Sequence, residues 1–227
     1  MLTASSTGNI CMRKEACMRY KGIIFDLDGV ICSTDEYHYQ AWKALADRLK
    51  ISFDRERNNL LRGVSRLQSL EIILEKSPQN YSEAEKAGLA EEKNTLYRQL
   101  LAQMSPKDLH DDVRSTLQAL RSAKLKLAIG SSSKNTPYIL ERIGLGGFFD
   151  AVADGNRITH SKPHPEVFLK AADMLGLLPA ECLVVEDAQA GVQAAIAGGF
   201  DCAAIGDAKN DPQANYSLTL LSDLLHF

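Results

Sequence analysis

From Lys21 to Phe25 the chain runs through β-branched and aromatic residues, then breaks abruptly into Asp26-Leu27-Asp28-Gly29. That pattern predicts a buried strand delivering polar groups at its carboxyl end. Between residues 33 and 105 the period changes: Tyr37, Ala41, Ala44, Leu45 and Leu49 recur at helical spacing, and further helices are predicted over 67–74 and 82–104. After Pro106 alternation returns, with helix 112–122, strand 125–130, helix 135–143, segment 149–153, helix 165–175, strand 182–186 and helix 190–197. Strands alternating with helices imply a parallel sheet covered on both faces. The fold class read from this is α/β: a doubly wound, Rossmann-like core of residues 19–33 and 106–227, with a small helical cap domain inserted over 34–105. In such folds sites lie at the carboxyl ends of the strands, here facing the cap.

Composition narrows the class. A chain of 227 residues, 45% of them apolar, can bury one core with a smaller second domain beside it. The net charge of -3, with scattered Lys and Arg, lacks the basic footprint of a nucleic-acid or membrane-surface binder, so the expected partner is a small molecule. Cys11, Cys17, Cys32, Cys182 and Cys202 form no metal-ligand or disulfide pattern and read as buried small apolar residues in a reducing compartment. Residues 1–18 lack the apolar run of a secretory signal and read as a disordered extension, and no segment approaches membrane-spanning length. A cytoplasmic monomer is the expectation.

The chemistry-bearing residues end separate elements. Asp26 and Asp28, two apart at a strand end, point into one crevice, and like charges so close need a cation or a shared proton. On its own Asp-x-Asp-Gly is more often an acidic turn, but its place after Ile23-Ile24-Phe25 weakens that reading. Gly130-Ser131-Ser132-Ser133-Lys134-Asn135, Ser161-Lys162-Pro163 and Val184-Val185-Glu186-Asp187 follow in order. Glu186 and Asp187 add hard oxygen donors suited to magnesium, although the pair in isolation reads first as a helix N-cap. Ser131 can offer a hydroxyl and the following amides to a phosphate, and Lys162 can offset negative charge.

The ordered set DLDGV, GSSSKN, SKPHP and EDAQAG resembles the haloacid dehalogenase superfamily. The resemblance implies phosphoryl transfer through a phosphorylated Asp26, with Asp28 as general acid and base. It implies Mg2+ on the Asp26 carboxylate, the Asp28 carbonyl, Glu186 and Asp187, with Ser131 and Lys162 holding the transferring phosphate. The cap segments Glu36-Tyr37-His38-Tyr39-Gln40-Ala41-Trp42-Lys43, Leu61-Arg62-Gly63-Val64-Ser65-Arg66 and Lys93-Asn94 resemble the β-phosphoglucomutase branch of that superfamily.

From that branch come a distal phosphate site on Arg66, Ser133, Lys134 and Asn135, backbone contact to a sugar along Gly63 and Val64, and Ser65 and Ser132 as further substrate-binding residues. His38, Trp42 and Lys93 would gate or line the pocket. The implied reaction interconverts β-D-glucose 1-phosphate and β-D-glucose 6-phosphate through a β-glucose 1,6-bisphosphate intermediate. A sugar-phosphate phosphatase, a mutase of another hexose phosphate and a non-catalytic sugar-phosphate-binding module stay open as alternatives. His110-Asp111-Asp112 and Ala188 depart from the family pattern without touching the inferred chemistry, and residues 155–160 read as an individual loop.

Overall fold

The computed structural model describes residues 19–227, so the expectation for residues 1–18, like Cys11 and Cys17, falls outside the described residues. The chain enters through β1 (Gly22–Phe25), then passes through four helices, α1 (Asp35–Arg48), α2 (Arg55–Asn59), α3 (Arg66–Leu74) and α4 (Glu83–Leu101). It returns through α5 (Asp111–Ser122), β2 (Lys126–Gly130), α6 (Thr136–Arg142), β3 (Ala151–Ala153), α7 (Glu166–Leu175), β4 (Cys182–Glu186), α8 (Gln189–Ala197), β5 (Asp201–Ala204) and β6 (Tyr216–Ser217). The strands form one sheet in the order β3-β2-β1-β4-β5-β6, parallel throughout. The strand order reverses beside β1, which puts its carboxyl end at the crevice where such sheets bind ligands.

Side-chain alternation explains why both faces are apolar. Ile23, Phe25, Leu127, Ile129, Leu183 and Val185 pack on one face with Leu117 and Leu120 of α5 and with Leu221 and Leu224 near the carboxyl terminus. Ile24, Ala128 and Val184 pack on the other with Phe168 and Ala171 of α7 and Val192 of α8. Gly130 is required here, because a Cβ would sit 2.7 Å from the Phe168 ring. Cys32, Cys182 and Cys202 are buried and free, as small apolar residues should be.

Helices α1 to α4 bury a core of their own, including Trp42 and Leu45 on α1, Leu70 and Ile73 on α3 and Ala90 on α4. Reciprocal capping boxes start α3 (Ser65 with Gln68) and α4 (Ser82 with Glu85). Helix α2 was absent from the periodicity, because Arg55–Asn59 has no apolar residue; it is started by the Asp54 carboxylate, which accepts from the Arg57 amide at 2.8 Å. Strands β5 and β6 were also not predicted, being four and two residues long. Among the described residues no helix is long and apolar enough to cross a membrane.

Candidate active site

Asp26 follows the last residue of β1 and is buried. Its Oδ2 accepts the Asp28 backbone amide at 2.9 Å, and its Oδ1 accepts from Lys162 Nζ at 2.5 Å. Lys162 is fully buried and also donates to Glu186, whose other oxygen accepts the amides of Asp187 (2.9 Å) and Ala188 (3.0 Å). Burial opposes the lysine's charge, but the Asp26 and Glu186 carboxylates more than offset it and hold its pKa above the ordinary value. One buried cation is therefore clamped between the ends of β1 and β4.

Asp187 lies beside this pair with no cation at salt-bridge distance among the described residues. Burial, reinforced by the charges of Glu186, Asp26 and Asp28, pushes its carboxyl up to about 9. Asp26, Asp28, Glu186 and Asp187 thus gather four carboxylates around one bonded lysine among the described residues, a donor set of hard oxygens that fits a divalent cation such as magnesium. Asp26, Asp28 and Glu186 each have both oxygens hydrogen-bonded, whereas the Asp187 carboxylate accepts no hydrogen bond among the described residues. Two glycines keep the cluster tight: a Cβ at Gly29, whose φ is +88°, would overlap the Asp187 carboxylate, and one at Gly191 in α8 would overlap that of Glu186.

Asp28 is held differently. One oxygen accepts the Thr34 amide at 2.7 Å and the other the Thr34 hydroxyl, which in turn accepts from Tyr97 Oη at 2.9 Å. Burial raises its carboxyl to about 6, against the lowering effect of the Thr34 bonds. His38 Nε2 lies 3.8 Å away, and its Nδ1 is 2.8 Å from Lys93 Nζ. Lys93 is buried over the rings of Trp42 (4.5 Å) and Tyr97 (4.3 Å), with no carboxylate partner among the described residues. Burial and the nearby Arg66 charge hold its pKa well below the ordinary lysine value, and burial and Lys93 depress His38 likewise.

Across the crevice, Ser131 and Ser133 start successive hydroxyl-bonded turns: the Ser133 amide donates to Ser131 Oγ and the Asn135 amide to Ser133 Oγ, each at 3.2 Å. Ser132 Oγ is buried without a protein partner among the described residues. Lys134 is exposed, and Asn135 Nδ2 donates to Asn94 Oδ1 of α4 at 3.0 Å, tying the helical layer to the sheet. Arg66 opens α3 and reaches Glu91 at 3.3 Å.

Apart from Thr34, Asn94 and Gly191, these residues line one cavity of about 670 Å³ between the sheet and the helices, together with Gly63, Val64 and Ser65. The residues given a site role from the sequence thus border a single space. Asp35, Asn58, Arg62 and Asp207, given no role from the sequence, also border it, and Thr34 acts on it through Asp28. Arg62 bridges Asp35 (3.1 Å) and Asp207, and Asn58 Nδ2 donates to Asp35 at 3.0 Å. Arg62 adjoins Gly63 in a segment already noted, whereas Asn58 sits in the short α2, where no pattern marks it.

A family model described as haloacid dehalogenase-like hydrolase matches residues 20–199. The chain is 39% identical over 206 residues to a β-phosphoglucomutase of Bacillus subtilis, covering 90% of this chain and 91% of that one. It is 33% identical over 186 residues to a fructose-1-phosphate phosphatase of Escherichia coli, covering 81% and 95%. The crystal structure of a β-phosphoglucomutase from Clostridium difficile superposes with a TM-score of 0.85 at 37% identity, over 90% of this chain and 93% of that one. With a buried aspartate–lysine clamp on a parallel sheet and a family match across most of its length, this chain belongs to the haloacid dehalogenase-like hydrolases.

Proposed function

We propose that the protein is a β-phosphoglucomutase, interconverting β-D-glucose 1-phosphate and β-D-glucose 6-phosphate through a phosphorylated Asp26 and a β-glucose 1,6-bisphosphate intermediate. The observation that carries this reading is the placement of two separate sets of cations on one cavity. Lys162 is bonded to the Asp26 carboxylate, while Arg66 and Lys134 border the same space from α3 and from the turn after β2. A bisphosphate needs both sets, because a phosphate at either end of the sugar must be held while the other reacts. The fork of Arg66 suits the waiting phosphate.

In the transfer step a sugar hydroxyl attacks the phosphorus on Asp26. The new oxygen–phosphorus bond forms as the Asp26–phosphorus bond breaks, and the hydroxyl proton passes to Asp28. A carboxyl raised to about 6 can both accept and return a proton near neutral pH. Its anchorage by Thr34 keeps it apart from the Lys162 clamp, so one strand end carries two carboxylates in two roles. Ser131, next to β2, and Lys162 are assigned to the transferring phosphate. The intermediate then turns over, and its other phosphate returns to Asp26.

Magnesium is assigned to the carboxylates of Asp26 and Asp187, the Asp28 carbonyl and Glu186, where it would neutralise charge on the carboxylates and on a phosphoryl group. Closure of the helical layer would exclude water, which otherwise hydrolyses an acyl phosphate. His38, Trp42 and Lys93 belong to that closing wall, Gly63 and Val64 offer backbone to the sugar, and Ser65 is a further substrate-binding residue. No second chain is needed to complete the cavity, so a cytoplasmic monomer remains our reading.

The likeness to a fructose-1-phosphate phosphatase supports a second reading, hydrolysis of a sugar phosphate. Supplying β-glucose 1-phosphate with magnesium and a trace of bisphosphate, and following glucose 6-phosphate by a coupled assay beside inorganic phosphate, separates the two. Glucose 6-phosphate without stoichiometric phosphate release is expected; phosphate release without isomer formation would overturn the mutase assignment.

A further inference from the structure

The loop that carries Lys162 also carries a cluster the proposed reaction does not use. His160 and His164 flank the lysine by two residues on either side, and Glu166 opens α7 immediately after. Whereas Lys162 is buried, both imidazoles are exposed, their rings 4.7 Å apart at 36°. His160 Nδ1 lies 3.3 Å from Glu166 Oε2, and His164 Nδ1 accepts the Glu166 amide at 3.3 Å. One donor atom from each of the three lies within 4.8 Å of the others.

We infer that His160, His164 and Glu166 form a binding site for a borderline transition-metal ion such as Zn2+, separate from the carboxylate cluster at Asp26. Two imidazoles and a carboxylate are a donor set that favours zinc over magnesium, which prefers oxygen ligands throughout. Three protein ligands leave a coordination position for water or an exogenous ligand.

The carboxylate is already fixed in place. Its two oxygens accept the Thr159 amide (3.1 Å to each), Oε2 accepts the His160 amide (2.8 Å), and Lys170 Nζ approaches Oε1 at 3.4 Å. Zinc–nitrogen bonds of about 2.0–2.1 Å require the donors to draw closer, and the imidazoles, exposed at the loop surface, have the freedom to move onto the fixed carboxylate. A bound ion would tie together the two ends of the segment from which Lys162 reaches Asp26.

The test is equilibrium dialysis of the full chain against Zn2+ with magnesium held in excess. One tightly held equivalent of zinc is expected, retained in Asp187→Asn, which alters the carboxylate cluster, and lost in the double variant His160→Ala/His164→Ala. Because both histidines are exposed, that variant should fold, which its circular dichroism verifies. Cobalt offers a second readout: Co2+ in place of zinc should show a visible band that the double variant lacks. No zinc bound by the parent chain, zinc retained by the double variant, or zinc lost only in Asp187→Asn would each overturn the assignment.

Discussion

The Lys93 amine lies 2.8 Å from Nδ1 of His38, a contact that leaves Nε2 as the histidine nitrogen facing Asp28. Both bases are kept neutral more readily than in water, because burial disfavours their charged forms, with the Lys93 charge adding to the cost at His38 and the Arg66 charge to that at Lys93. Their folded pKa values lie below the unfolded ones, so the unfolded chain binds protons that the folded chain refuses. Stability contributed by His38 is then complete above its unfolded value of about 6.5 and falls as pH drops below it. Between pH 5 and 8 the raised carboxyls of Asp28 and Asp187 oppose this slope, so His38 is read by difference: the urea midpoint of the parent chain relative to that of His38→Gln should fall toward acid. A pH-independent difference would show that His38 is not a source of it.

Lys162 is the only cation bonded to Asp26 and Glu186 among the described residues. Removing one partner of a buried charged network leaves the rest uncompensated, at a cost of about 3–5 kcal/mol. Lys162→Met should lower the urea midpoint accordingly and abolish turnover. It should also recover part of its lost stability on mild acidification, when the orphaned carboxylates take up protons. Loss of turnover at unchanged stability would mean that Glu186 and Asp26 find another counter-charge.

Much of this arrangement was legible in the sequence because the residues that make it end apolar strands. Asp26 after Ile24-Phe25, and Glu186 closing Val184-Val185, are polar interruptions of buried runs, and such interruptions have few structural uses. The helical layer was legible as helices, but not α2, whose five polar and charged residues rest on an Asp54 cap and on burial of Asn58. Thr34, Asn58 and Arg62 escaped notice for a related reason: each acts through a carboxylate, Asp28 or Asp35, from which it is separated by 6, 23 and 27 residues respectively. No local period encodes such pairings. The loop at residues 155–160 read as individual, and its histidine proved to pair with residues beyond Lys162.

Gly191 offers a test of the acidic cluster that leaves every ligand in place. In an exposed helix interior, alanine for glycine gains about 1 kcal/mol. In α8 the added Cβ would collide with the Glu186 carboxylate, which is fixed on both sides and has nowhere to retreat. Gly191→Ala should therefore destabilise, by about 1–3 kcal/mol for a crowded core position. It should also raise the magnesium concentration needed for half-maximal turnover. A stabilised variant with normal metal dependence would mean that Glu186 is more mobile than its bonds indicate.

Arg66 decides between one phosphate site and two. Its guanidinium borders the cavity from the start of α3, and its visible partner is Glu91 at 3.3 Å, a carboxylate more than two-thirds exposed whose bond to the arginine is worth little in water. The side chain is therefore available to a ligand at small cost. If it holds the waiting phosphate of a bisphosphate, Arg66→Ala should depress mutase turnover about 10²-fold or more, since misplacing the far end of the sugar misplaces the attacking hydroxyl. Hydrolysis of acetyl phosphate, a donor with no distal phosphate, should change little, while Asp26→Asn should abolish both reactions. Equal losses of the two activities in Arg66→Ala would place the arginine at the transferring phosphate instead and remove the ground for a mutase.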